Sequence, residues 1–266
     1  MLTVGIGLFV AGVALAAFAS YRQLSAGFHT DRVQHELRAR WQLDFGAPGS
    51  ADRTGPSARS VRPSGPDVDA VAVLYAPRLG DAWAWVVVEG VDEKDLMIGP
   101  GHYPDTAAPG HRGNFAVAGH RVTHGKPFAQ LDRLRIGDRV VAQTRQAWHV
   151  YRVQGTYVSA PGRSDLLAPV PGRPGAVPTD AYLTLTTCHP RWGSSERLVV
   201  IAELDRSIPR EQGPPDFLDR AADPRAADPR AADRAFGGPP DRTADRTADS
   251  VVARVAGSGA APEFRA

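Results

Sequence analysis

Between residues 70 and 206 short apolar runs alternate with turns that contain Gly, Pro or Asp, and the runs have the length and composition of β-strands. They are AVAVLY, AWAWVVVEG, NFAVAG, DRVVAQT, WHVYRVQGTYV, YLTLTTC and RLVVIAEL. Short strands in such close succession predict an all-β barrel or sandwich. The helical exception is KPFAQLDRL, residues 126–134, with a further turn expected at SDLL. The segment VSAPGRSDLLAPVPGRPGAVP, which leads into YLTLTTC, is too rich in Pro and Gly for regular structure and long enough to wall a groove.

Outside that block the pattern changes three times. Leu2 to Ala19 is an uncharged apolar run, long enough at about 18 residues to cross a bilayer as a helix. Ala17-Phe18-Ala19 resembles a signal-peptide cleavage site, but the basic leader is missing and the apolar core is long, so a retained anchor is expected. Arg22, Arg32, Arg38 and Arg40 all follow this run, which by the positive-inside rule favours a cytoplasmic bulk, opposite to what the function below requires. From Thr30, the residues Val33, Leu37 and Trp41 recur at helical spacing, as in an amphipathic helix, although a solvated spacer fits as well. Gly46 to Asp69 has a linker composition. After Arg206 the repeats RAADPRAADPRAAD and DRTADRTAD carry too few large apolar side chains to fold. The expected order is therefore an anchor at 2–19, a juxtamembrane helix and linker at 20–69, a barrel at 70–206 and a disordered tail at 207–266.

Composition narrows the chemistry. The net charge is +2 and there is no basic stripe interleaved with aromatics, which argues against a nucleic-acid partner. The single cysteine excludes an intramolecular disulfide and a cysteine-based zinc cluster, and the eight histidines lack ligand spacing, so neither metal nor cofactor is expected.

That cysteine, Cys188, ends the run YLTLTTC, where Tyr182, Thr184, Thr186 and Cys188 share one face and Leu183, Leu185 and Thr187 the other. A lone cysteine is ordinarily an inert small hydrophobe. Three features point away from this here: the polar Thr-Thr-Cys ending, Arg197 at the start of the next strand, where pairing would return it beside the thiol, and His120 at the end of NFAVAG. A thiol needs a base or a positive charge to become a good nucleophile. His189 adjoins Cys188 but points to the other face, and His102, His111 and His124 are read as turn residues.

The set TLTTC, an arginine nine positions later, an upstream AGHR, and the block GPGHYPDTAAPGHRGNFAVAGHR together resemble the class E sortases of high-GC Gram-positive bacteria, continuously from about Val71 to Leu204. The resemblance implies a closed eight-stranded sortase-type β-barrel. It also implies a cysteine transpeptidase in which Cys188 is the nucleophile, His120 the acid and Arg197 the stabiliser of oxyanion or substrate backbone. Its partners would be secreted proteins bearing an LAXTG-like or LPXTG-like signal, cut between Thr and Gly, and a peptidoglycan-precursor amine such as that of lipid II. The enzyme would be a single-pass protein of the cell membrane with its catalytic domain outside. Tyr103 is the expected reader of the signal, and Thr187 is expected to lend a hydroxyl or N–H to substrate. The Asp-Pro-aromatic lid of pilin polymerases and the acidic clusters of calcium-dependent members are not evident, which predicts a metal-independent housekeeping enzyme. Two other readings are a catalytically silent, membrane-tethered peptide-binding barrel and an L,D-transpeptidase, whose thiol would follow a glycine rather than Thr187.

Overall fold

The computed structural model describes residues 12, 13, 15, 27–42 and 68–218. The apolar run 2–19 lies outside these apart from residues 12, 13 and 15, which are helical, as do residues 46–67 of the linker Gly46 to Asp69 and the repeats from 219. Among the described residues no helix is long and apolar enough to cross a membrane.

Eight strands close into a barrel: β1 (Ala70–Tyr75), β2 (Ala84–Glu89), β3 (Gly101–His102), β4 (Gly113–Ala118), β5 (Arg139–Gln143), β6 (Ala147–Ser159), β7 (Ala181–His189) and β8 (Glu196–Pro209). Their order around the barrel is β1-β2-β3-β4-β7-β8-β6-β5, with β5 paired back to β1. The pairs β2·β3 and β4·β7 are parallel and the rest antiparallel. Strand alternation fills the interior with Leu74, Phe115, Val117, Tyr151, Leu183, Leu185 and Val200, among others. Tyr151 needs a partner for its buried hydroxyl and has one in the N–H of Gly110, at 2.6 Å; burial pushes that phenol well above its usual range.

Seven of these strands coincide with apolar runs of the sequence; β3, with two residues, has no periodicity to detect. The expected helix at 126–134 is replaced by turns and a 3-10 turn at Leu131–Arg133. Lys126 has a left-handed φ of 55° and precedes Pro127, which disfavours the α region for it, so the helix does not begin at Lys126. Phe128, Leu131 and Leu134 are all buried, a spacing of three that suits the tighter turn. The turn at SDLL is a 3-10 helix, Ser164–Leu167. A short helix α2, Glu93–Leu96, comes in addition; its Asp95 carboxylate accepts the Asp92 N–H at 3.1 Å.

The folded unit is larger than 70–206 at both ends. A helix α1 spans 27–42 and lays Val33, Leu37 and Trp41 against Val73, Val86 and Val88, the outward residues of β1 and β2. It is thus a packed helix, not a solvated spacer. Gln34 donates to the carbonyls of Val86 (3.0 Å) and Ile98 (3.2 Å) and accepts the Val86 N–H (2.9 Å). One amide therefore pairs the edge of β2 at Val86, where the short β3 does not reach, since β3 meets β2 only at Val88 and Glu89. Thr30 donates to Met97 at 2.8 Å, and Arg38 donates to the Ala84 carbonyl. At the other end β8 continues to Pro209, and Phe217 and Leu218 cover the outward residues Val141, Trp148 and Val150.

Candidate active site

The site forms where β4, β7 and β8 end together. On β7, Leu183 and Leu185 point into the barrel, so Thr184, Thr186 and Cys188 occupy the outer face. On β4 the inward residues are Phe115 and Val117, which puts Asn114, Ala116 and Ala118 outside. The two strands run parallel with Ala118 opposite Thr186, and the Gly119 N–H donates to the Thr186 carbonyl at 3.1 Å. His120 comes two residues after the last paired residue of β4, as Cys188 comes two after Thr186 on β7. The Phe128 N–H holds the His120 carbonyl at 3.0 Å, and a Cβ on Gly119 would lie 2.7 Å from the Phe128 ring, so the strand end is closed down against that ring.

Cys188 and Arg197 are opposed residues of the antiparallel β7·β8 pair. Opposed residues share a face with Cβ atoms about 5 Å apart. The β7–β8 turn therefore returns Arg197 to the position opposite Cys188. Arg197 is steadied by its own loop, its Nη1 donating to the carbonyls of Ser194 and Glu196, both at 2.9 Å. Cys188 is half-buried with a free thiol.

His120 is half-buried, and its Nε2, shielded from solvent, has no hydrogen-bond partner among the described residues. Burial first, and then the charge that the neighbouring His124 ring can carry, hold its pKa below the usual histidine value, with Glu93 opposing. The result is a ring whose neutral form is favoured at neutral pH, with the imidazolium a minor form.

Tyr103 follows β3, and its hydroxyl lies 3.2 Å from that of Thr186. Thr186 is two residues before Cys188 on the same face, so the phenol stands about 7 Å along the strand from the thiol position. Thr187 turns the other way. Its side chain is buried in the barrel and its hydroxyl donates to the Gly119 carbonyl at 2.7 Å. The expectation of a substrate-facing hydroxyl there is corrected by strand alternation: this group ties the ends of β4 and β7 together.

Three further residues shape the site. Arg121, with its side chain only 3% exposed, donates from Nη1 to the Cys188 carbonyl (3.3 Å) and to His189 Nδ1 (3.0 Å), and pairs through Nη2 with Asp132 at 3.2 Å. A guanidinium can only donate, so His189 Nδ1 must accept, and its ring is committed behind the nucleophile. Asn114, buried on the outer face of β4, accepts the Thr184 hydroxyl (2.8 Å) and donates to the carbonyls of Leu166 (3.0 Å) and Ala168 (3.2 Å). It straps the β6–β7 loop over the outer face and makes it a wall of the groove. His124 stacks on His120 with ring centroids 4.7 Å apart. The signals for these were an arginine directly after a strand-end histidine and an asparagine inside an apolar run. His102, read from the sequence as a turn residue, is instead buried in β3, with Nδ1 2.8 Å from Glu89 and Nε2 3.0 Å from the Thr106 hydroxyl. It belongs to the scaffold. Among the described residues no group of three or more His, Cys, Asp or Glu is placed to hold a metal ion.

The Sortase domain family model matches residues 74–205. Sortase E from Streptomyces avermitilis, a solved structure, is 44% identical, with a TM-score of 0.52 over 56% of this chain and 97% of that one. Sortase E1 from Streptomyces coelicolor, solved with a tripeptide in its active site, is 34% identical, with a TM-score of 0.52 over 56% of this chain and 96% of that one. The curated Sortase SrtE1 of Streptomyces coelicolor is 33% identical over 155 residues, 55% of this chain and 44% of that protein, so the match spans less than half of that relative's length. With the closed barrel and the Cys188–Arg197 pairing in place, these matches make the chain a member of the sortase family of cysteine transpeptidases, on its class E side.

Proposed function

We propose that the protein is a membrane-anchored transpeptidase that cuts an LAXTG-like sorting signal between Thr and Gly and passes the new end to a peptidoglycan-precursor amine. The observation that carries this reading is the opposition of Cys188 and Arg197 across β7·β8, with His120 two residues past the end of the neighbouring strand β4. As its proton passes to the neutral His120 ring, the Cys188 sulfur attacks the Thr carbonyl carbon, and Arg197 stabilises the oxyanion or the backbone beside it. Collapse breaks the C–N bond, and the His120 Nε2 proton goes to the departing glycine amine. An incoming amine then attacks the thioester, its proton passing through His120 to the departing sulfur, which returns the thiol. Tyr103 reads the signal from the Thr186 position, and the strapped β6–β7 loop holds the peptide against the sheet. The apolar run 2–19 supplies the anchor, with the barrel outside the cell. Arg32 and Arg38, which complicate that orientation by charge count, are engaged in the folded helix α1, Arg32 with Glu36 and Arg38 with Ala84.

The test is mass spectrometry of the full chain in detergent with an LAETG-type peptide, beside Cys188→Ala and His120→Ala forms. A thioacyl adduct ending at Thr, absent from Cys188→Ala, is expected, with turnover unchanged by calcium or by a chelator. Absence of adduct and cleavage across several LxxTG peptides, with the fold intact, would return the protein to a silent peptide-binding barrel. A several-fold rise with calcium would overturn metal independence. The family match sets aside the L,D-transpeptidase reading.

A further inference from the structure

The strand end at His120 leads into a loop of unusual backbone. His124, Gly125 and Lys126 lie consecutively in the left-handed region, with φ of 49°, 71° and 55°. Two of the three carry side chains that disfavour it, and such a turn persists only where its surroundings fix it. The fixing elements are α1 and β2. A Cβ on Gly125 would lie 2.9 Å from the tip of the Trp85 ring, 3.0 Å from the Thr30 methyl and 3.3 Å from the Asp31 carboxylate. The first turn of α1 thus clamps the loop at the one residue able to be clamped so closely.

What the clamp delivers is the His124 ring, laid on His120 with an interplanar angle of 33°. Buried nitrogens of both rings, Nε2 of His120 and Nδ1 of His124, lack hydrogen-bond partners among the described residues. With no bond to its Nε2, the His120 ring takes its orientation from packing. The charged groups that act on the pair are Glu93 of α2, toward both rings, and His29 of α1, toward His124. Burial is the largest influence on each ring and disfavours its charge, and each cation would further disfavour the other.

We propose that His124 is a positioning residue for His120, its ring held through Gly125 by the first turn of α1 and fixing the plane of the imidazole that serves as the acid. This rests on the transpeptidase reading, and it makes α1 part of the catalytic unit. The catalytic proton stays with His120; His124 sets where that proton points and how readily it is held.

The experiment compares the full chain with His124→Ala and His124→Phe, the second keeping a ring of similar size without its charge. Cleavage of an LAETG peptide is measured together with the NMR titration of the His120 ring in ¹³C-histidine-labelled protein. In His124→Ala, kcat should fall roughly tenfold to a hundredfold, as for a misoriented acid, with KM changed less than about twofold. His124→Phe should recover most of kcat. The His120 midpoint should rise in His124→Ala, which removes both cover and neighbouring charge, and rise less in His124→Phe, which removes only the charge. Unaltered kcat in His124→Ala, or equal losses in both variants with the His120 resonance unmoved, would overturn the proposal. If the unmodified chain fails to cleave the peptide, the transpeptidase reading fails while the titration still decides: an unmoved His120 resonance in His124→Ala refutes the packing role, and a moved one supports it.

Discussion

Arg121 has the most to lose among single residues, because one buried guanidinium serves the Cys188 carbonyl, His189 and Asp132 at once. Arg121→Met leaves those acceptors without a donor while Asp132, 44% exposed, can return to water. Hydrogen bonds to a charged group contribute about 1.5–3 kcal/mol, so the melting temperature should drop by roughly 5–10 °C in a domain of this size. Arg121→Lys should recover little of it, since an ammonium cannot reproduce the planar fork. Thermal melts of the three proteins check this, and a Lys form that melts like the parent would show that only the charge matters. The site was legible in the sequence to the extent that alternation and one count of register determine it. Cys188, Arg197 and His120 stand at the edges of three apolar runs, and of these the structure opposes Cys188 and Arg197 directly. Arg121 was in plain view beside His120 but unreadable, because the burial of a guanidinium depends on an aspartate brought back by a turn. His124 was hidden for the same reason: the left-handed path of 124–126 is set by α1, which is remote in sequence. Thr187 shows the converse, a residue whose face was readable by alternation and whose hydroxyl follows that face into the barrel.

For the elements, the informative case is α1, whose apolar stripe was visible in Val33, Leu37 and Trp41 but whose attachment was not. A stripe states that a face is to be covered, and Gln34 states where, by pairing both backbone groups of Val86. Gln34→Leu keeps the bulk and strands a buried N–H and a buried C=O, which should cost roughly 2–4 kcal/mol. Urea unfolding of the full chain should show the midpoint falling with the slope retained; an unmoved midpoint would mean that the amide contributes nothing beyond its packing. Strands long enough to alternate were legible, and elements too short or too local were not. β3 pairs by only two residues on each side, and α2 and the 3-10 turns are shorter than any periodic window. The stretch 126–134 misleads because its apolar spacing of three mimics a helical face, while Lys126 before Pro127 takes a left-handed φ and the chain continues in turns.

As a whole, the molecule is a barrel whose outer sheet faces are covered from both ends of the chain, β1–β2 by α1 and β5–β6 by Phe217 and Leu218. Arg139 lies over the Phe217 ring at 4.6 Å and Arg210 over Trp148 at 5.5 Å, so the C-terminal cover is fastened by two cation–π contacts. Closing these faces has an electrostatic consequence for the half-buried His120, His124 and His149. Burial is the first cause of a lowered pKa in each; His124 and Glu93 act further on His120, Glu93 and His29 on His124, and His111 on His149. In the unfolded chain these rings take up protons near the ordinary value of about 6.5, whereas in the folded protein they do so only at lower pH. Between those two limits the unfolded state binds more protons, so stability rises with pH through the window and is lost on acidification through it, with no further change from these rings below it. Glu203 acts in the opposite sense, since burial and Asp180 raise its pKa, but from a carboxylate range that lies lower. The melting temperature should therefore be flat between pH 8 and 7 and decline from pH 6.5 to 5.5. His149→Gln should decline less steeply while melting no higher at pH 8, because it gives up the ring that faces the Ser207 hydroxyl at 2.9 Å. Melts of both proteins at half-unit pH steps decide the matter: a parent curve without the decline would mean that these rings protonate as readily in the closed barrel as in the open chain.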